Sequence, residues 1–284
     1  MTKILACIDG TPGTSDVCDY AVWAAHRLLA PLTFLHVIDR HLEVAPIHDF
    51  SGSLGLGAQE SLLHELSALD EQRSRLAQEH GRQILQGARA RASAAGLTDV
   101  DGRQRHGTLV DTLLEWQDEI RLVVLGQHAQ EGDPGRRHLD HHVERVIRTV
   151  HRPVMVAVSA YRPIVRFAIA FDASATGRRM VEMVARSPFL RGLSCEVITS
   201  TGEPASVAAD LQWAEQTLAA AGYDVRTTAL GGEPEDALNQ HVREHDMQLL
   251  VMGAYGHSRI RHLVVGSTTT SLLRTSAVPV LVLR

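Results

Sequence analysis

Three glycines and a hydroxyl pair follow an apolar run near the C-terminal end of the chain, in Val251-Met-Gly-Ala-Tyr-Gly-His-Ser-Arg-Ile-Arg-His-Leu-Val-Val-Gly-Ser-Thr268. Gly253 and Gly256 come first, and Gly266-Ser267-Thr268 stand where the apolar pattern turns into a helical one. Glycine lets backbone N–H groups come close to an anion, and the first turn of a helix presents its positive end to one. The chemistry this suggests is retention of a polyphosphate. No lysine follows Gly266, so it is not a P-loop, and the glycine spacing is not that of a dinucleotide fingerprint.

This spacing resembles the ATP-binding motif of the universal stress protein family. The lead-in Leu249-Leu-Val-Met-Gly253 and the closing Val278-Pro-Val-Leu-Val-Leu283 are similar to that family too. The resemblance implies that the backbone of Gly256, Gly266, Ser267 and Thr268 holds phosphates, with the two hydroxyls adding bonds, and that Gly253 passes beneath the ribose. It also implies that Asp172 faces the adenosine and, where one is bound, a magnesium ion, and that the backbone of Ile198 meets adenine. Two plainer readings stay open. The glycines could serve a turn without a ligand, and Asp172 could cap the helix that follows it.

The strands and helices that must position these residues occur twice. Thr2-Lys-Ile-Leu-Ala-Cys-Ile-Asp9 and Val165-Arg-Phe-Ala-Ile-Ala-Phe-Asp172 are both apolar strands ending in an acid. Arg121–Gly126 parallels Gln248–Gly253, and Arg148–Val156 parallels Arg274–Val282. Repetition on this scale predicts two homologous domains, 1–160 and 161–284, joined near Ala160-Tyr-Arg-Pro163. Apolar runs alternating with helical patterns predict parallel sheets covered on both faces. Strands are expected near 3–8, 32–38, 99–105, 121–126 and 153–158, then near 164–171, 193–199, 224–230, 248–253 and 279–283. Helices fill the gaps, at 14–29, 60–95, 109–118 and 139–149, then at 175–187, 204–221, 235–245 and 266–275. The resemblance adds an open, Rossmann-like five-stranded order of 3-2-1-4-5 in each domain. A free apolar edge would invite aggregation, so the last strands of the two halves are expected to pair with each other. Homodimerisation is left open.

Composition narrows the function. The chain has 284 residues, 44% of them hydrophobic and 21% charged, as in an ordinary globular protein. No run approaches a membrane span, and the N-terminus reads as a strand rather than a signal peptide, so a cytoplasmic location is expected. Residues 161–284 hold 12 arginines and 12 acids, which puts the whole excess of the −5 net charge in the first half. With 4% aromatic residues and no basic field, nucleic acid is set aside as a partner. Cys7, Cys18 and Cys195 are odd in number and widely spaced, as expected of buried thiols in a reducing compartment.

In the first half the motif fails. Gly126 survives, but Ala129 replaces the second glycine and Asp140-His141 replaces Gly-Ser. ATP is therefore expected in the second half alone. His138, His142, His128 and Asp9 make a zinc-type first shell conceivable near that vacated position, although no H-E-x-x-H pattern supports it. Between Ile38 and Ser61 the first half carries an insert absent from the second half, whose residues 41–57 are read as a loop, while Gly232-Glu-Pro234 reads as a structural turn before a helix. The function expected is an ATP-binding, nucleotide-dependent stress or dormancy regulator. No general base or arginine finger is assignable, so binding rather than turnover is the core of it. The competing readings are a slow ATP hydrolase or adenylate-handling enzyme of the related α/β superfamily, and a ligand-independent scaffold.

Overall fold

The computed structural model of the protein describes residues 2–38, 56–127, 141–158, 160–201, 204–254 and 267–284. The first half runs β1 (Lys3–Cys7), α1 (Thr14–Leu28), β2 (Leu32–Ile38), α2 (Leu56–Ala94), β3 (Val100–His106), α3 (Leu109–Trp116), β4 (Ile120–Gly126), α4 (His141–Thr149) and β5 (Val154–Ala157). The second runs β6 (Arg166–Ala170), α5 (Ala175–Arg186), β7 (Ser194–Ser200), α6 (Pro204–Ala220), β8 (Val225–Leu230), α7 (Pro234–Glu244), β9 (Leu249–Gly253), α8 (Ser267–Thr275) and β10 (Val280–Leu283). The same order of elements thus occurs twice. One boundary needs correction: helix α2 begins at Leu56, four residues before its expected start at 60, and takes in the last residues of the expected loop, Leu56 and Gly57. Ala58-Gln59-Glu60 are good helix formers, which outweighs the single Gly57. The rest of that insert lies outside the described residues.

Successive side chains of a strand face opposite sides of a sheet, and here both sides are buried. Ile4 and Ala6 of β1 belong to one core layer, with Ala21 and Ala25 of α1 and Ala88 of α2. Leu5, between them, belongs to the other, with Leu113 of α3 and Val146 of α4. The outer strand β3 reads Val-Asp-Gly-Arg-Gln-Arg-His and is only partly covered. Its charges guard an edge that would otherwise recruit another strand.

The ten strands form one sheet in the order β3-β2-β1-β4-β5-β10-β9-β6-β7-β8. Each half therefore has the order 3-2-1-4-5, and the halves meet at their last strands. β5 and β10 run antiparallel, with Val280 opposite Val156, Leu281 opposite Met155 and Val282 opposite Val154. Side chains reinforce this join. The Arg27 guanidinium of α1 donates to the Phe189 carbonyl at 2.9 Å, and the Trp23 and Phe189 rings lie 4.9 Å apart. Arg284 donates back to the carbonyls of Val150 and Arg148.

Candidate functional site

Strand β6 lies between β7 and β9. The chain leaves β6 through α5 to reach β7 on one side and returns to β9 on the other, so the carboxyl ends of β6 and β9 flank the point where strand order reverses. That is where open α/β sheets hold ligands. Ala170 is in register with Met252, so Gly253 and Asp172 stand one and two residues beyond this pair, at the mouth of the crevice.

Asp172 is exposed, and its Oδ1 accepts from the backbone N–H and the hydroxyl of Ser174 at 3.1 and 2.6 Å. The cap of α5 is Ser174 rather than Asp172, because it is the Ser174 hydroxyl that accepts from the Gly177 N–H. Among the described residues Oδ2 of Asp172 accepts no hydrogen bond, which leaves a carboxylate oxygen for a ligand or a cation. The turn carries strain. Ala173 has φ +57, a left-handed conformation that costs a residue with a Cβ, and the corresponding residue of the first half is Gly10 with φ +83. Gly177 completes the arrangement, since a Cβ there would lie 2.5 Å from Oδ1 of Asp172.

Gly253 ends β9 without a positive φ, and among the described residues a Cβ added to it would meet only the Thr176 methyl, at 3.4 Å. Its counterpart Gly126 is tighter, with Val17 Cγ2 at 3.0 Å. A Cβ at 126 would require Val17 of α1 to give by a few tenths of an ångström, whereas among the described residues neither backbone nor packing demands glycine at 253. Ser267 and Thr268 open α8, and only their backbone is described; Gly256 and Gly266 lie outside the described residues. Ile198 is fully buried in β7, and its carbonyl accepts from the Phe171 N–H at 2.8 Å. The same bond runs from Ile8 to Leu35 in the first half, which makes Leu35 and Ile198 counterparts. By that register the counterpart of Val37, a residue lining the first-half crevice, is Ser200, which the sequence did not single out. Its hydroxyl donates to the Gly232 carbonyl at 2.8 Å. Gly232 has φ +99 and Pro234 is the first residue of α7, so this segment is the turn its composition predicts.

In the first half the equivalent crevice, at the ends of β1 and β4, encloses a cavity of about 390 Å³ lined by Asp9, Gly126, Gln127 and apolar neighbours. Asp9 forms the same turn as Asp172, accepting from the Thr11 N–H and hydroxyl at 3.0 and 2.8 Å. Cys7 lines this cavity, yet burial pushes its thiol up to about 12, so it is no nucleophile near neutral pH. Of the histidine cluster, only His142 has a described side chain, on the cavity wall; His128, His138 and Asp140 lie outside the described residues. Among the described residues no three His, Cys, Asp or Glu side chains gather as a metal site would require.

A doubled α/β sheet, with a strand-end acid beside a glycine-bounded crevice in each half, defines a tandem protein of the doubly wound class. The model of the Universal stress protein family matches twice, over residues 1–158 and 166–284, and the chain belongs to that family. It is 32% identical to universal stress protein Slr1230 of Synechocystis, over the full length of both chains. Universal stress protein YxiE of Bacillus subtilis is 30% identical over 74 residues, which is 26% of this chain and 50% of that protein. The crystal structure of a universal stress protein from Archaeoglobus fulgidus has a TM-score of 0.73 at 20% identity, covering 99% of this chain and 98% of the other. Among the described residues no helix is long and apolar enough to cross a membrane.

Proposed function

We propose that the chain binds one ATP, in the crevice of its second domain, and acts as a nucleotide-dependent regulator of a stress or dormancy response. The domains are taken as 1–160 and 161–284, with the nucleotide motif degenerate in the first. The observation that carries this reading is Gly253. It sits at the switch point beside Asp172, and it is glycine where, among the described residues, neither backbone conformation nor packing calls for one. The rest of the spacing, Gly256 and Gly266-Ser267-Thr268, leads into helix α8, whose N-terminus would face the phosphates. Asp172, with an oxygen to spare, would meet the ribose or a magnesium ion, to which a hard carboxylate oxygen is well suited. Ile198 would line the adenine side, with Ser200 two residues further along the strand.

Calorimetry on the full chain tests this, with one ATP bound per chain expected. Gly266→Asp copies into the second domain the residue found at 140 in the first. A carboxylate and a Cβ there would remove two charge-assisted bonds of about 1.5–3 kcal/mol each, weakening ATP binding at least about a hundredfold. Wild-type affinity in a folded Gly266→Asp variant would overturn the phosphate cradle.

A further inference from the structure

The cavity of the first half differs in chemistry from a phosphate site. Its walls are mostly apolar, with Ile8, Val17, Leu35 and Leu125 among them, and no lysine or arginine is among the described residues that line it. Helix α1 points its N-terminus here, and a carboxylate, Asp9, already bonds to its first residue, Thr14. Asp9 accepts from the Thr11 N–H and from the Thr14 hydroxyl, which in turn accepts from the Gly10 N–H. A second acid, Asp16, also lines the space and accepts from the Tyr161 N–H at 3.1 Å. Among the described residues that line the space, these two carboxylates stand with one histidine, His142, and no lysine or arginine, a balance that disfavours an anion.

Against this background stands Gln127, the residue directly after β4. Its backbone N–H is fixed to the Ala157 carbonyl at 3.0 Å. Its side-chain Nε2 and Oε1 are both buried, and among the described residues neither has a hydrogen-bond partner. Buried amides are nearly always paired, so an amide with both ends unsatisfied on the wall of a cavity calls for a partner from outside the chain. A primary amide offers a donor and an acceptor side by side, which match another amide, a lactam or the edge of a heterocyclic base. The volume of about 390 Å³ is that of a small-molecule pocket.

We propose that this first-half crevice is a second ligand site, for an uncharged, phosphate-free amide or lactam heterocycle that pairs with the Gln127 side chain through two antiparallel hydrogen bonds. The site is separate from the nucleotide crevice of the second half and stands whether or not ATP binds there. The two degenerate positions then mark a change of ligand rather than the loss of one.

Nicotinamide and thymine are suitable probes, one a primary amide and the other a lactam, neither charged. Saturation-transfer NMR and calorimetry on the full chain should show at least one of them binding with one site per chain. Gln127→Leu keeps the bulk and removes both polar atoms, and should weaken that probe by about 10- to 100-fold. The same variant should melt no lower than the wild type without ligand, because it deletes an unpaired buried amide. ATP should not displace the probe. The proposal is overturned if neither probe binds at millimolar concentration, if Gln127→Leu binds as the wild type does, if ATP competes, or if Gln127→Leu lowers the melting temperature.

Discussion

At the scale of single residues, each half answers the same backbone demand differently. The turn after β1 needs a left-handed residue and has Gly10, while the turn after β6 puts Ala173 there at φ +57. A left-handed alanine costs about 1–2 kcal/mol, and glycine gives back only about 0.4–1 kcal/mol through the unfolded chain. Ala173→Gly should therefore raise stability by about 0.5 kcal/mol in urea unfolding, whereas Ala→Gly in a helix lowers it; a loss of 1 kcal/mol would refute the strain. The cysteines supply a pH test. Burial raises the Cys7 and Cys18 thiols to about 12 from 9.0, and pushes Cys195 up as well. A raised folded-state value means stability is complete below the unfolded value and is lost as pH climbs through the folded one. Each thiol adds a slope of up to about 1.4 kcal/mol per pH unit in that window. Unfolding followed from pH 8 to 11 should show the decline beginning above about 9, and a Cys→Ala triple variant should flatten it.

Polar bonds between elements decide how firmly the outer strands of the second half are held. Glu196 of β7 is nearly buried and accepts from the Thr228 hydroxyl of β8 at 2.6 Å, while its contact with His241 of α7 is 2.9 Å. Three elements are joined by one carboxylate. His241→Ala would leave Glu196 with a single partner, at a cost of about 2–3 kcal/mol. Urea denaturation should show that loss as a lower midpoint with an unchanged slope. A change below 0.5 kcal/mol would mean that water takes over the histidine's role.

For the whole molecule, the decisive feature is the antiparallel pairing of β5 with β10. It turns two open sheets into one and buries the most apolar strand of each half in its centre, leaving the polar β3 and the half-covered β8 at the ends. Truncation after Thr275 would strip β10 from both β5 and β9 and expose Val154, Met155 and Val156 as an open edge. Light scattering should then report aggregation or a new dimer. A truncated chain that stays monomeric would show that the α1 contacts through Trp23 and Arg27 hold the halves together without the strand pair.

Much of this was legible in the sequence because its causes are local. The repeated strand-to-acid device needs only alternation of apolar runs and helical faces, and it located Asp9, Asp172 and Gly253 at strand ends. Gly-Glu-Pro before α7 carried its own turn chemistry. The insert boundary was misjudged at 56–59 because glycines flank a run whose helix propensity emerges only with the residues that follow. Other features depend on groups distant in the chain. Gln127 reads as an ordinary polar residue until α1, α4 and β5 close around it, since an unpaired amide is costly only once water has been removed. Gly126 and Gly253 look identical in sequence; among the described residues only the distance to Val17 in one and Thr176 in the other separates a glycine crowded by its neighbour from one that is not. The antiparallel join, too, was decided in three dimensions, because an apolar run specifies burial, whereas orientation and register depend on which strand stands opposite.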